Sequence, residues 1–181
     1  MNRLIKADLY RYDCLSGISG FLKGCSIPGF RYTFLLRKMM KHKKYTFKGV
    51  FYRILRRLFA YKEYHIDINA QISEGFYLYH RGTIIIGPIK IGKNCTIGHA
   101  VTIGRGLKGG IIGRPTIGDN VWIGTGTVIV GKIDIGNNVL IAPNSFVNFD
   151  VPHNSLVIGN PGKIIKKDNP TKYYITNTLD E

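Results

Sequence analysis

The sequence predicts a mainly β protein built as a parallel β-helix, with a basic α-helical segment at its N-terminus. An aliphatic residue recurs at every sixth position over most of residues 66–147, and glycine often follows it directly. A period of six fits neither an α-helix nor a long alternating strand. It fits three short strands for each turn of a β-helix, so one turn takes about eighteen residues.

The repeat is defined by its aliphatic anchors. They are Ile66, Ile72, Leu78, Ile91, Ile97, Ile103, Ile117, Ile123, Ile129, Ile135, Ile141 and Val147. We expect each anchor to point into the interior and each six-residue unit to supply one strand and one corner. Neighbouring coils then stack about 4.8 Å apart through main-chain hydrogen bonds. Roughly five coils fit into residues 65–158, with a register slip of one residue near Ile84–Ile91.

One interruption of the repeat predicts an extruded loop. Fourteen residues separate Ile103 from Ile117, where six would suffice. The eight extra residues must leave the β-helix, at about residues 105–115, whose sequence is RGLKGGIIGRP. Loops that project from a rigid scaffold are frequent sites of function.

The first 64 residues differ from the rest in charge and pattern. They carry 15 Lys and Arg against Asp8, Asp13 and Glu63, a net +12, whereas residues 65–181 carry a net +3. Apolar residues at helical spacing predict helices over residues 31–44, after a break at Pro28-Gly29, and over residues 49–61. These helices either cap the open end of the β-helix or lie on an anionic membrane surface. Nucleic-acid binding is not expected, because no known motif accompanies the charge.

The segments of the chain, its cysteines and histidines, and its apolar runs limit where the protein acts and what it binds. We divide the chain into a helical segment (1–64), a β-helix (65–167) and a C-terminal tail (168–181). Cys14, Cys25 and Cys95 are scattered and odd in number, which indicates reduced thiols and a cytoplasmic location. No metal site is expected, because the histidines lack ligand spacing. No run approaches the roughly 18 apolar residues of a membrane span.

Several motifs together resemble a known family. The six-residue repeat, the segment YLYHRG around His80, the loop and the ending GNPGKII (159–165) resemble the hexapeptide-repeat acyltransferases. Within that family the similarity is greatest to serine acetyltransferases, and especially to their relatives in capsule, exopolysaccharide and O-antigen pathways. The resemblance implies a left-handed β-helix, a homotrimer, acetyl-CoA as the acyl donor and a hydroxyl group as the acceptor.

The resemblance also assigns catalytic roles. A histidine that matches His80 is the general base, and an aspartate that matches Asp67 orients its imidazole. Independently of the family, an alcohol needs a base to become a nucleophile, and histidine suits this task. His80 and His99 each lie two residues beyond an anchor, and three units separate those anchors. The spacing therefore predicts that the two histidines stack on one face, one coil apart.

Acetyl-CoA would lie along a seam between two subunits, where small residues allow close approach. The candidate cofactor-binding residues are Lys108, Gly124, Gly126, Ala142, Lys163 and Lys166. Lys108 matches the loop lysine of the family, and Lys163 resembles the basic residue near its nucleotide phosphates.

Two departures from the family concern the acceptor. Tyr79 replaces the aspartate that precedes the base in serine acetyltransferases, and Arg114 replaces a second histidine at the end of the loop. Tyr79, Arg81 and Arg114 are therefore the candidate acceptor-binding residues. We expect a sugar hydroxyl, free or in a lipid-linked oligosaccharide of surface polysaccharide synthesis, at the inner face of the cell membrane. The alternative is O-acetylation of serine for cysteine synthesis.

Overall fold

The computed structural model describes residues 1–60, 62–107 and 112–179. Within these residues, α-helices come first and short β-strands follow. The helices are α1 (Arg3–Tyr10), α2 (Gly17–Ser26), α3 (Pro28–Lys41) and α4 (Phe47–Phe59). The strands are β1 (Tyr64–Ile66), β2 (Gln71–Ile72), β3 (Tyr77–Leu78), β4 (Ile84–Ile86), β5 (Lys90–Ile91), β6 (Thr96–Ile97), β7 (Val101–Gly104), β8 (Thr116–Ile117), β9 (Val121–Ile123), β10 (Val128–Val130), β11 (Asp134–Ile135), β12 (Val139–Ile141), β13 (Phe146–Val147), β14 (Ser155–Ile158) and β15 (Lys163–Lys166).

The strands form the three parallel sheets of a β-helix. Sheet 1 has the order β1-β4-β7-β10-β13, sheet 2 has the order β2-β5-β8-β11, and sheet 3 has the order β3-β6-β9-β12-β14. Consecutive strands belong to different sheets, so three strands complete one coil. β15 closes sheet 3 by pairing antiparallel to β14.

The predicted anchors form the core. Every one of them, from Ile66 to Val147, is buried, with at most 9% exposure. Burial of one such side chain contributes about 1.5–3 kcal/mol, whereas a main-chain hydrogen bond nets about 1 kcal/mol. The aliphatic side chains inside the coils are therefore the main source of stability. The main-chain hydrogen bonds between coils fix the register of the strands.

The register slip near Ile84–Ile91 has two parts. The anchors Leu78 and Ile86 are eight residues apart, and Ile86 and Ile91 are five apart. The bend after β3 therefore gains two residues and the bend after β4 loses one, which gives the net slip of one. Main-chain pairing of Leu78 with Ile97 and of Ile86 with Ile103 restores the register in the next coil.

The helical segment covers the first coil. Tyr32, Leu35 and Leu36 of α3 belong to the same apolar cluster as the anchors. Helix α3 begins at Pro28 and ends at Lys41, three residues earlier at each end than predicted. Proline is favoured at the first helical position, so Pro28 starts the helix that we expected to begin after it. No helix of the described residues is long and apolar enough to cross a membrane.

A buried ion pair fastens the helices to the coil. The Asp8 carboxylate accepts hydrogen bonds from Arg37 Nε at 3.0 Å and from the Phe76 N–H at 2.9 Å. Arg37 also donates to the carbonyl oxygens of Ile72 and Ser73. Burial raises the pKa of Asp8, and the Arg37 guanidinium opposes this rise only in part.

We predict that Arg37→Leu lowers the free energy of unfolding by about 3–5 kcal/mol at neutral pH, because it leaves the Asp8 charge buried alone. The folded pKa of Asp8 lies above its unfolded value, so ionised Asp8 costs stability as pH rises through that pKa. The loss should therefore be smaller at about pH 4.5 than at about pH 7, as measured by urea unfolding. The double variant Asp8→Asn/Arg37→Leu should recover most of the lost free energy of unfolding. An equal loss at both pH values would contradict this account.

Candidate active site

Two bends of the coil carry the predicted site residues. The bend from sheet 3 to sheet 1, here called the histidine corner, includes residues 79–83, 98–100, 124–127 and 142–145 of successive coils. The bend from sheet 1 to sheet 2, here called the loop corner, includes residues 67–70, 105–107 and 112–115. The corners are separated by sheet 1, so residues on one do not adjoin residues on the other within a single chain.

His80 lies exposed at the histidine corner, just past the buried anchor Leu78. Its φ is 66°, in the left-handed region that residues other than glycine rarely adopt. The other three bends of this corner also contain one residue in that region each: Ala100, Gly126 and Asn144. The Tyr64 hydroxyl donates a 2.7 Å hydrogen bond to the His80 carbonyl, which fixes the backbone that presents the imidazole.

His99 lies on the next coil, as the spacing predicts. The His80 and His99 ring centroids are 6.1 Å apart, at an interplanar angle of 74°. On the other side of the His99 ring, Thr125 Oγ1 lies 3.3 Å from Nδ1. A Cβ atom at Gly82 would come within 2.7 Å of the His99 Cβ, so only glycine allows the first coil to close over this ring.

Two candidate acceptor residues flank His80. The Tyr79 ring centroid is 3.9 Å from that of His80, and Tyr79 is 39% exposed. Arg81 is exposed in the same bend. An aromatic ring and a cation therefore stand on the two sides of the proposed base.

The small candidate residues continue the same corner. Gly124 and Ala142 are equivalent to Tyr79 in the third and fourth coils. A Cβ atom at Gly124 would lie 2.5 Å from the Pro143 nitrogen, and Gly126 has a φ of 73°. Coils therefore pack here backbone to backbone, which leaves a smooth surface running from the histidines towards β15.

The lysine candidates lie at the C-terminal end of sheet 3. Lys163 and Lys166 are the first and last residues of β15, and both are exposed. Lys163 pairs with Ile158, which brings it to the histidine corner, whereas Lys166 pairs with Ser155 at the far end of the strand. Of the two, only Lys163 lies in line with the histidines.

Two candidates, Asp67 and Arg114, lie at the loop corner. Asp67 accepts hydrogen bonds from the backbone and the side chain of Asn69, at 2.8 and 3.0 Å, and forms none with His80 among the described residues. Arg114 is exposed at the base of the extruded loop, next to the bridge between Gly106 and Gly113. Lys108 falls outside the described residues. Within one chain, Asp67 and Arg114 are not brought to His80.

Sequence reasoning missed two residues that contact the histidines. Thr125 lies two places beyond the anchor Ile123, the same position that His80 and His99 occupy after their anchors, so the repeat contained the signal. Tyr64 had no such signal. Its contact with His80 depends on the side chain reaching across the first coil, which its place in the repeat does not predict.

Other reactive groups are removed from the site. Burial raises the pKa of the Cys95 thiol to about 12, so this side chain is not a thiolate nucleophile at neutral pH. Among the residues that the structure describes, no three His, Cys, Asp or Glu side chains are grouped as metal ligands. The imidazoles are thus the groups at this corner suited to moving a proton.

Comparison with known proteins agrees with this arrangement. The family described as bacterial transferase hexapeptide (six repeats) matches residues 114–148. A serine acetyltransferase of Staphylococcus xylosus is 37% identical over 135 residues, which are 74% of this chain and 61% of that protein. The crystal structure of Neisseria gonorrhoeae serine acetyltransferase in complex with serine is 30% identical, with a TM-score of 0.70, and the match covers 90% of this chain and 67% of that one.

A second similar structure contains coenzyme A. Serine acetyltransferase from Brucella abortus in complex with coenzyme A superposes with a TM-score of 0.70 at 28% identity, covering 91% of this chain and 67% of that chain. The chain therefore belongs to the hexapeptide-repeat transferase family, and the predicted left-handed β-helix is confirmed. It spans about 61% of the length of the staphylococcal relative.

We predict that Gly124→Ala disturbs the surface that continues from the histidines, because its methyl group meets the Pro143 backbone. The variant should lose about 1–3 kcal/mol of stability and show a raised KM for acetyl-CoA. Gly104→Ala is the matched control, since it also follows an anchor but has nothing within 4 Å of the added Cβ. Thermal unfolding and steady-state kinetics of both variants check this, and equal behaviour of the two would contradict it.

Proposed function

We propose that the protein is an acetyl-CoA-dependent O-acetyltransferase, with His80 as the general base and L-serine as the acceptor to test first. The observation that supports it best is the exposed His80 next to the half-buried His99, at the head of a smooth, glycine-lined corner. The names of the relatives favour serine as the acceptor over a sugar.

The proposed reaction is a direct acyl transfer. An imidazole nitrogen of His80 removes the proton of the acceptor hydroxyl as that oxygen attacks the thioester carbonyl. The C–S bond breaks as the tetrahedral intermediate collapses, and the imidazolium returns the proton to the departing thiolate of CoA. His99, fixed by Thr125, shapes the acceptor site and shares the proton network.

Acetyl-CoA supplies the acyl group. In our proposal its pantetheine arm follows Gly124, Gly126 and Ala142 away from the histidines, and its phosphates meet Lys163, with Lys166 farther along β15. The donor and the free cysteines favour a cytoplasmic location.

A homotrimer would complete the site. Asp67 and Arg114 belong to the loop corner, apart from His80 in a single chain, and Lys108 falls within the same interruption of the repeat in the sequence. In a trimer, the loop corner of one subunit faces the histidine corner of its neighbour. Exposed main-chain amides along that seam would then stabilise the oxyanion.

A sugar hydroxyl is the second candidate acceptor, and Tyr79 is the observation that favours it. The exposed Tyr79 ring occupies the space beside His80 where serine acetyltransferases carry a carboxylate. A carboxylate suits the ammonium group of serine, whereas an aromatic face suits the apolar face of a sugar ring. Arg114 at the loop's end is the second departure of this kind.

Release of free CoA thiol distinguishes the two acceptors. The protein is incubated with acetyl-CoA and, in parallel, with L-serine or with nucleotide sugars and short oligosaccharides. We expect L-serine to raise thiol release well above the hydrolytic background. Turnover with a sugar and none with L-serine would replace serine by the second candidate, and no transfer to either class would contradict the proposed activity.

Substitution of His80 by asparagine tests the base. Asparagine tolerates the left-handed backbone of this position, so the fold is kept while the base is removed. We expect kcat to fall by about 10²–10⁴-fold with little change in KM for acetyl-CoA. His65→Asn, at an exposed position of β1, is the matched control. Retained activity in His80→Asn, together with loss in His99→Asn, would move the base to His99.

A further inference from the structure

Helix α4 packs on the protein with a mixed side, on which Tyr52 and Leu55 contact the core cluster. Gly49 is its buried residue, Arg56 donates a 2.9 Å hydrogen bond to the Tyr32 hydroxyl, and Arg53 donates to the Gly49 carbonyl. The opposite, apolar side faces outward. Its exposed side chains, here called the α4 apolar face, are Phe47, Val50, Phe51, Ile54 and Leu58, with exposures of 45–88%.

Most of the large apolar side chains of α4 thus face away from the body, unlike those of an ordinary surface helix. A surface helix of a globular protein turns its apolar stripe towards the core and its charges towards water. Contiguous apolar surface exposed on one side of a helix marks an interaction site. Helix α4 therefore needs an apolar partner outside the chain.

Cations surround the α4 apolar face. Lys48 and Arg57 lie on α4 and are exposed. The segments on either side of the helix add the exposed residues Lys43, Lys44 and Lys62. Of the three acidic residues in positions 1–64, Asp8 is buried in its pair with Arg37. The partner must therefore also carry negative charge.

The neighbouring surface extends the same chemistry. An apolar groove of about 650 Å³ between α1, α2 and α3 is lined by Ile18 and Phe21, and Lys38 stands at its edge. Lys38 also lines the groove that holds Phe47 and Phe51 of α4. Ile18 and Leu22 of α2 are themselves 83% and 66% exposed. Exposed apolar groups and lysines thus continue from α4 to α2 around the end of α3.

We propose that α4 binds in the plane of an anionic lipid surface. Such a surface satisfies both requirements at once, because acyl chains receive the apolar side chains and negative headgroups receive the lysines. A second copy of this face would set its cations against like charges. Nucleic acid would pair with the lysines and leave the apolar side chains in water. The helix has 13 residues, about 20 Å in length, and is too short to span a bilayer.

Vesicle cosedimentation with the full chain tests this proposal. We expect binding to vesicles of phosphatidylcholine with phosphatidylglycerol, and weak binding to phosphatidylcholine alone. Raising the salt from about 0.05 M to about 0.5 M should weaken it, because salt screens the headgroup attraction. The double variant Phe51→Glu/Ile54→Glu should bind anionic vesicles at least about tenfold more weakly than the wild type. Tyr173→Glu is the control, since it replaces an aromatic residue that is even more exposed and lies in the C-terminal tail.

The remaining outcomes overturn the proposal. Wild-type protein that binds neither vesicle, or a double variant that binds as wild type, shows that lipid is not the partner. Equal binding to neutral and anionic vesicles contradicts the role of the lysines. A change in molar mass of the double variant by light scattering, without wild-type vesicle binding, assigns the α4 apolar face to contact between copies of the chain. Circular dichroism confirms that both variants fold, and none of these readings depends on acetyl transfer.

Discussion

The in-register stacking of short parallel strands is the constraint on which the rest of the structure depends. Each anchor must lie above its counterpart one coil away, as Leu78 lies against Ile97 and Ile123 against Ile141. Any residue at a fixed distance past an anchor is then repeated at the same corner. His80, His99 and Thr125 contact one another for this reason, although 45 residues separate the first from the last.

The ladder also determines where irregularity is tolerated. Interior positions are occupied by anchors at nearly full burial, so extra residues can be placed only in the bends. Two bends use this freedom: the one after β3 gains two residues, and the one after β7 extrudes the loop. His80 lies in the first of these bends, and the strain of its left-handed backbone persists only where surrounding contacts hold it. The hydrogen bond from Tyr64 is such a contact.

What the sequence could predict follows the same division. The period of six revealed the strands, the core, the loop and the paired histidines, because all of these are consequences of spacing. The partner of Asp67 was not accessible in this way, since its carboxylate is occupied by a local turn with Asn69. The outward orientation of α4 was not accessible either. Its apolar stripe was evident, but which side packs on the body depends on the contacts of Tyr52 and Leu55 with the core and of Arg56 with Tyr32.

That last contact joins the helical segment to the proposed active site. Arg56 binds the Tyr32 hydroxyl, the Tyr32 ring packs edge-on against Tyr64 at 5.2 Å, and Tyr64 holds the His80 carbonyl. Contacts between the basic helical segment and the β-helix therefore help to position the proposed base, His80. These contacts start from Arg56, on the inward side of α4. The outward side can therefore bind a partner without disturbing them. Helix α4 can thus pack on the protein with its inward side and bind a partner with its outward side.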